Sequence, residues 1–68
     1  MKRLVFRDSH DEETPLGEFK TLKDAYDYLA ELLYSYDFDL REVNIVSYDG
    51  FDVIDYGDDD QYFFIYYE

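Results

Sequence analysis

Ser9-His10-Asp11 holds the three residue types of a hydrolytic triad. Its spacing argues against catalysis. A triad needs three side chains converging on one line of proton transfer, and consecutive residues point apart. His10 is the only histidine, and it lies in a polar run, SHDEETP, so it reads as a solvated loop residue. Asp58-Asp59-Asp60, with Asp49, Asp52 and Asp55, offers oxygen atoms to a hard cation. Calcium takes about six to eight such ligands, and the loop motif that supplies them needs glycine at its sixth position and glutamate at its twelfth. Counted from Asp49 those positions are Ile54 and Asp60; counted from Asp58 the sixth is Phe63. Neither fits, so no metal and no other cofactor is expected. Paired carboxylates act as acid and base in glycoside hydrolysis. Eighteen acids in 68 residues produce such pairs by chance, and so short a chain leaves little room for a cleft. The chain reads as non-enzymatic.

What remains is charge. Eighteen acids face six bases, for a net charge of −12. Such a balance usually accompanies disorder. Nine tyrosines and six phenylalanines argue the other way, because aromatic rings are the heaviest apolar material a core can use. The charge is also uneven. Residues 1–23 carry five bases and five acids, whereas residues 24–68 carry thirteen acids against Arg41 alone. Direct nucleic-acid binding fails on sign, since grip on phosphates comes from Lys and Arg. There is no cysteine, hence no disulfide framework and no thiolate zinc site. No run approaches the roughly 18 apolar residues of a membrane span. The expectation is one domain over 1–68, in a reducing cytosol.

The elements that must position these groups are organised around Thr21–Tyr36, TLKDAYDYLAELLYSY. Leu22, Ala25, Tyr26, Leu29, Leu32, Leu33 and Tyr36 recur with helical period and define an apolar face. Thr21 with Asp24 three residues on is a capping-box-like start. The opposite face carries Asp24, Asp27 and Glu31, flanked by Tyr28 and Tyr34. Before the helix, residues 2–8 read as a strand, 9–15 as a loop ending in the only proline, and 16–20 as a short return strand. After it, residues 37–41 form an exit. Residues 42–48 and 51–56 then flank Asp49-Gly50, a strong hairpin signal expected to form a type I′ turn. Residues 57–60 turn the chain again, and 61–67 make a last strand. The order is ββαβββ, an α+β domain with an antiparallel sheet and one amphipathic helix on one face.

A two-residue turn sets Tyr48 opposite Phe51 and Ile45 opposite Ile54. One sheet face then holds Val43, Ile45, Ile54, Tyr56, Phe63 and Ile65. The other holds Val46, Tyr48, Phe51, Val53, Tyr62, Phe64 and Tyr66. One helix covers one face, so the aromatic face is either partly bare, as interfaces are, or covered by the first hairpin or the loops.

These features suggest a role by charge and shape. DNA presents about one negative charge per 1.7 Å of axis. Neighbours at i and i+2 on a strand lie about 6–7 Å apart, and helix neighbours at i and i+3 about 5–6 Å. Folded elements therefore space carboxylates on the scale of phosphates. In size, acidity and aromatic content the chain resembles the phage-encoded inhibitors that mimic DNA, among them anti-CRISPR, antirestriction and uracil-glycosylase-inhibitor proteins. The resemblance is one of class and carries no motif. It implies a partner with a basic nucleic-acid groove, met in the cytoplasm of a bacterial host. The expected contact set is Asp24, Asp27, Glu31, Asp37, Asp39, Asp49, Asp52, Asp58, Asp59 and Asp60, with Tyr28, Tyr34, Tyr62 and Tyr66. Two other readings stand beside it. One is a homodimeric or scaffold protein pairing through its aromatic sheet face. The other is an antitoxin-like inhibitor plugging a basic nuclease.

Overall fold

A computed structural model describes residues 1–36, 43–57 and 60–68. It is an α+β fold with the order β1 (Lys2–Arg7), β2 (Glu13–Phe19), α1 (Leu22–Ser35), β3 (Asn44–Tyr48), β4 (Phe51–Asp55) and β5 (Tyr62–Tyr67). The five strands form one antiparallel sheet in the order β2-β1-β5-β4-β3.

The helix starts where its cap chemistry places it. Thr21 is extended, and its hydroxyl accepts the Asp24 backbone N–H at 3.1 Å. Asp24 itself sits in the first turn, where the helix dipole favours a carboxylate. Ala25, Leu29 and Leu33 are fully buried. They pack on Leu4, Ile54, Phe63 and Ile65 from three strands, with Phe6, Leu22, Tyr26 and Leu32 at the margin. Tyr36 closes the helix; it is exposed, though it lies on the side of Leu32 and Leu33.

The β3–β4 hairpin has the expected register, Tyr48 opposite Phe51 and Ile45 opposite Ile54. Its turn differs. Gly50 has φ +96°, but Asp49 is not among the residues with positive φ. A type I′ turn needs positive φ at both central positions, so this is the sign pattern of a type II turn, which asks for glycine only at the second.

The first hairpin also differs. Residues 13–15 belong to β2 and not to a loop. Proline is tolerated there because β2 is an edge strand. The register shifts between Leu4, opposite Gly17, and Val5, opposite Pro15, so Leu16 is the extra residue of a bulge. The connecting loop is shorter than expected and is tied by one side chain. The Asp8 carboxylate accepts the backbone N–H groups of His10 at 2.8 Å and Glu12 at 3.1 Å.

This hairpin continues the sheet and does not fold across its outer face. The outer face is covered instead by arginine. The Arg7 guanidinium lies 4.3 Å from the centre of the Phe64 ring, and Arg3 lies 5.0 Å from that of Tyr66. Beneath them Val5 and Phe64 are buried. Their long stems cover apolar surface while their charged heads reach solvent. The cover does not extend to the far edge. On the helix side Ile45 of β3 lies beyond the helix and is exposed, and on the outer face Val46 and Tyr48 lie beyond the arginines and are exposed too.

Candidate protein-interaction surface

The expected contact residues fall in three places. Asp24, Asp27, Tyr28, Glu31 and Tyr34 line the solvent side of α1, and all five are exposed. Tyr28 rests its ring on Phe19, with centroids 5.4 Å apart, while Tyr34 is 81% exposed and has no ring contact among the described residues. Lys23 donates to Asp27 at 2.7 Å, which offsets one charge of the stripe. That pair joins exposed side chains and adds little stability. Asp24 and Glu31 make no ion pair among the described residues.

Asp49 lies in the turn at the end of the sheet where the helix begins, and it is exposed. Asp60 lies at the other end. There it shares a shallow cleft with Asp11, Ser9, Arg7 and Tyr62. Asp11 and Asp60 both have φ 61°, the left-handed conformation that aspartate tolerates better than most residues. Asp37, Asp39, Asp58 and Asp59 lie outside the described residues. Tyr62 and Tyr66 are half-buried on the outer sheet face. The Tyr66 hydroxyl donates to Glu13 at 2.8 Å, and Arg7 donates to the same carboxylate oxygen at 2.6 Å. Those bonds, first from Arg7 and then from Tyr66, hold the Glu13 carboxyl below the usual range.

Asp52 departs from the expected surface. It is 3% exposed and cannot meet a partner. The Tyr26 and Tyr67 hydroxyls donate to its two carboxylate oxygens, and Ser47 adds a side-chain hydrogen bond. Burial pushes this carboxyl up, but the three hydrogen bonds together outweigh it and leave Asp52 below its ordinary value. The same contact raises Tyr26, first through burial and then through the bond to Asp52. A buried carboxylate must find partners, and here tyrosines of the helix and of β5 converge on it. The signal lay in strand alternation. Asp52 has the parity of Ile54, which faces the helix, so it had to point inward.

Arg3 and Arg7 are engaged, whereas Lys20 is exposed and has no ion pair among the described residues. Arg3 pairs with Glu68 at 3.0 Å and Arg7 with Glu13 at 2.6 Å, each over an aromatic ring. Lys2 lies 5.4 Å from the centre of the Tyr67 ring. His10 is exposed in its loop, and Ser9-His10-Asp11 form no mutual side-chain bond among the described residues. No group of three or more histidine, cysteine or acidic residues among those described is placed to hold a metal ion. An apolar hollow of about 460 Å³ opens between the end of α1 and the sheet, lined by Phe6, Leu16, Leu32 and Phe63 among others. Among the described residues its lining includes no carboxylate, histidine or basic group. No helix among the described residues is long and apolar enough to cross a membrane. No protein-family model, curated protein or solved structure matches this chain.

The charge has a measurable consequence for the isolated protein. Net −12 in a body of 27 × 24 × 19 Å repels itself, and salt screens that repulsion. The Debye length shrinks from about 8 Å at physiological ionic strength to about 3 Å at 1 M. The melting temperature should therefore rise with sodium chloride. A flat or falling dependence in a thermal melt would show that the charges do not strain the fold.

Proposed function

We propose that this chain is a small acidic inhibitor that mimics DNA and occupies the basic groove of a nucleic-acid-binding protein. The type is that of anti-CRISPR and antirestriction proteins, encoded by a phage or mobile element. One observation carries the reading. Among the described residues, carboxylates without an ion pair are exposed along the helix and at both ends of the sheet, while Arg3, Arg7 and Lys23 are neutralised by Glu68, Glu13 and Asp27. Lys2 and Lys20 are the described bases left without an acidic partner, and the exposed acids without one outnumber them. Along the helix the acids recur every three or four residues, about 5–6 Å between neighbours. The longest dimension, 27 Å, matches about eight base-pair steps at about 3.4 Å each. That sets the length of groove the protein can fill.

Electrostatic complementarity acts mainly on the rate of association, and desolvated aromatic anchors act on dissociation. Charge reversal should divide accordingly. Asp27→Lys with Glu31→Lys should slow association about tenfold at low salt, and the difference should fade as salt screens it. Asp49→Lys tests the turn in the same way. Tyr34→Ala and Tyr62→Ala should leave association unchanged, and the one that meets the target should speed dissociation. Stopped-flow or surface-based kinetics at low and physiological salt, with the partner captured from bacterial lysate, reads both effects. Charge-reversed variants that all associate at the parent rate would overturn the reading.

A further inference from the structure

We infer that β3 is a self-pairing edge, through which two copies of this chain join their sheets antiparallel about a two-fold axis at Val46. The inference is independent of the inhibitor reading and rests on the contrast between the sheet's two edges. Open edges invite pairing, and proteins blunt them with charge, proline or bulges. The β2 edge has all three: Glu13 and Glu18, Pro15, and the bulge at Leu16. The β3 edge, Asn44–Tyr48, has none. Every residue of β3 is exposed, and among the described residues no strand pairs with its outer side.

Hydrogen-bond alternation fixes which backbone groups are available. The Tyr67 N–H donates to the Gly50 carbonyl at 2.9 Å, so Gly50 turns toward β5. By alternation Asp52 and Ile54 do the same, while Phe51, Val53 and Asp55 turn toward β3. Their partners Tyr48, Val46 and Asn44 are thereby used. Ile45 and Ser47 are left with N–H and C=O directed outward. An antiparallel pair that sets Ile45 of each copy opposite Ser47 of the other uses all of these groups and overlaps the whole strand. Its centre is a non-hydrogen-bonded Val46–Val46 pair on the outer sheet face. Asn44 then faces Tyr48 across the same face.

Charge selects a second copy's strand over other contacts between copies. Each copy carries −12, so two of them repel wherever carboxylates meet. The strand NIVSY is uncharged, and of its two acidic cross-strand neighbours Asp52 is buried while Asp55 sits at the strand's start, opposite Asn44. Apolar contact there can outlast the general repulsion, and screening should favour it. Salt should therefore strengthen this dimer, the reverse of its effect on a complex with a basic groove, so the two can fail separately.

The test uses the absence of cysteine. Val46→Cys supplies the only thiol, at a site where the non-hydrogen-bonded Cα separation of about 4.5 Å suits a disulfide. Mild oxidation should link Val46→Cys into a covalent dimer, whereas Tyr48→Cys, facing Asn44, should stay monomeric on the same gel. Sedimentation of the full chain should show a dimer fraction that rises between about 0.05 and 0.5 M sodium chloride, and Val46→Lys should abolish it while leaving the far-ultraviolet spectrum unchanged. A monomer at every salt and concentration, or equal linkage of the two cysteine variants, would overturn the inference. Pairing of β3 with a captured partner's strand alone would do so too.

Discussion

Leu29→Ala and Leu33→Ala should each destabilise the fold by about 2–5 kcal/mol, the range for a buried leucine that leaves a cavity. Both side chains are at most 1% exposed and sit where the single helix meets Leu4, Ile54, Phe63 and Ile65. There is no second helix among the described residues to close over the gap. Glu31→Ala, on the solvent side, should change stability by about 0.5 kcal/mol or less. Urea unfolding of the three variants checks this. Equal losses at the three positions would contradict the packing described.

Asp52→Ala should cost about 2–4 kcal/mol at neutral pH, because it leaves the Tyr26 and Tyr67 hydroxyls without their acceptor, each at about 1–3 kcal/mol. The pH dependence identifies the cause. The folded-state Asp52 carboxyl lies below its ordinary value. A group depressed in this way contributes stability that is present above its unfolded value and lost as pH falls through the folded one. Asp52→Asn should therefore be less stable than the parent at neutral pH, and the gap should narrow on acidification below the ordinary aspartate range. A gap that stays constant to strongly acidic pH would mean that the charge of Asp52 contributes nothing to the fold.

The parts of this molecule set by local chemistry were legible in its residues. The Thr21 cap, the Ala25-Leu29-Leu33 face and the Tyr48–Phe51 register each follow from spacing within a few positions. What long-range pairing decides was not. Pro15 reads as a break until β1 is known to lie between β2 and β5, which leaves Pro15 on an edge. Val46 and Tyr48 read as one end of a continuous aromatic face, yet Arg3 and Arg7 cover the other end at Phe64 and Tyr66. Those arginines lie some sixty residues away in sequence and meet the rings only through the β1–β5 pairing. Asp52 read as a surface acid of the contact set. Its parity with Ile54 outweighs its proximity to Asp49. Of the candidate contact surface, the helix stripe was legible and is exposed as expected.

The mimicry reading predicts direct exclusion of nucleic acid. Both ligands would neutralise the same lysine and arginine side chains, so they cannot share the groove. The decisive measurement is a competition titration. A partner captured from bacterial lysate is loaded with labelled duplex DNA or guide RNA, and this protein is added at low and at physiological salt. Displacement should be complete at saturation, with an apparent affinity that weakens steeply as salt rises. A ternary complex that keeps its nucleic acid, or a captured partner whose binding ignores both salt and competitor, would contradict the account.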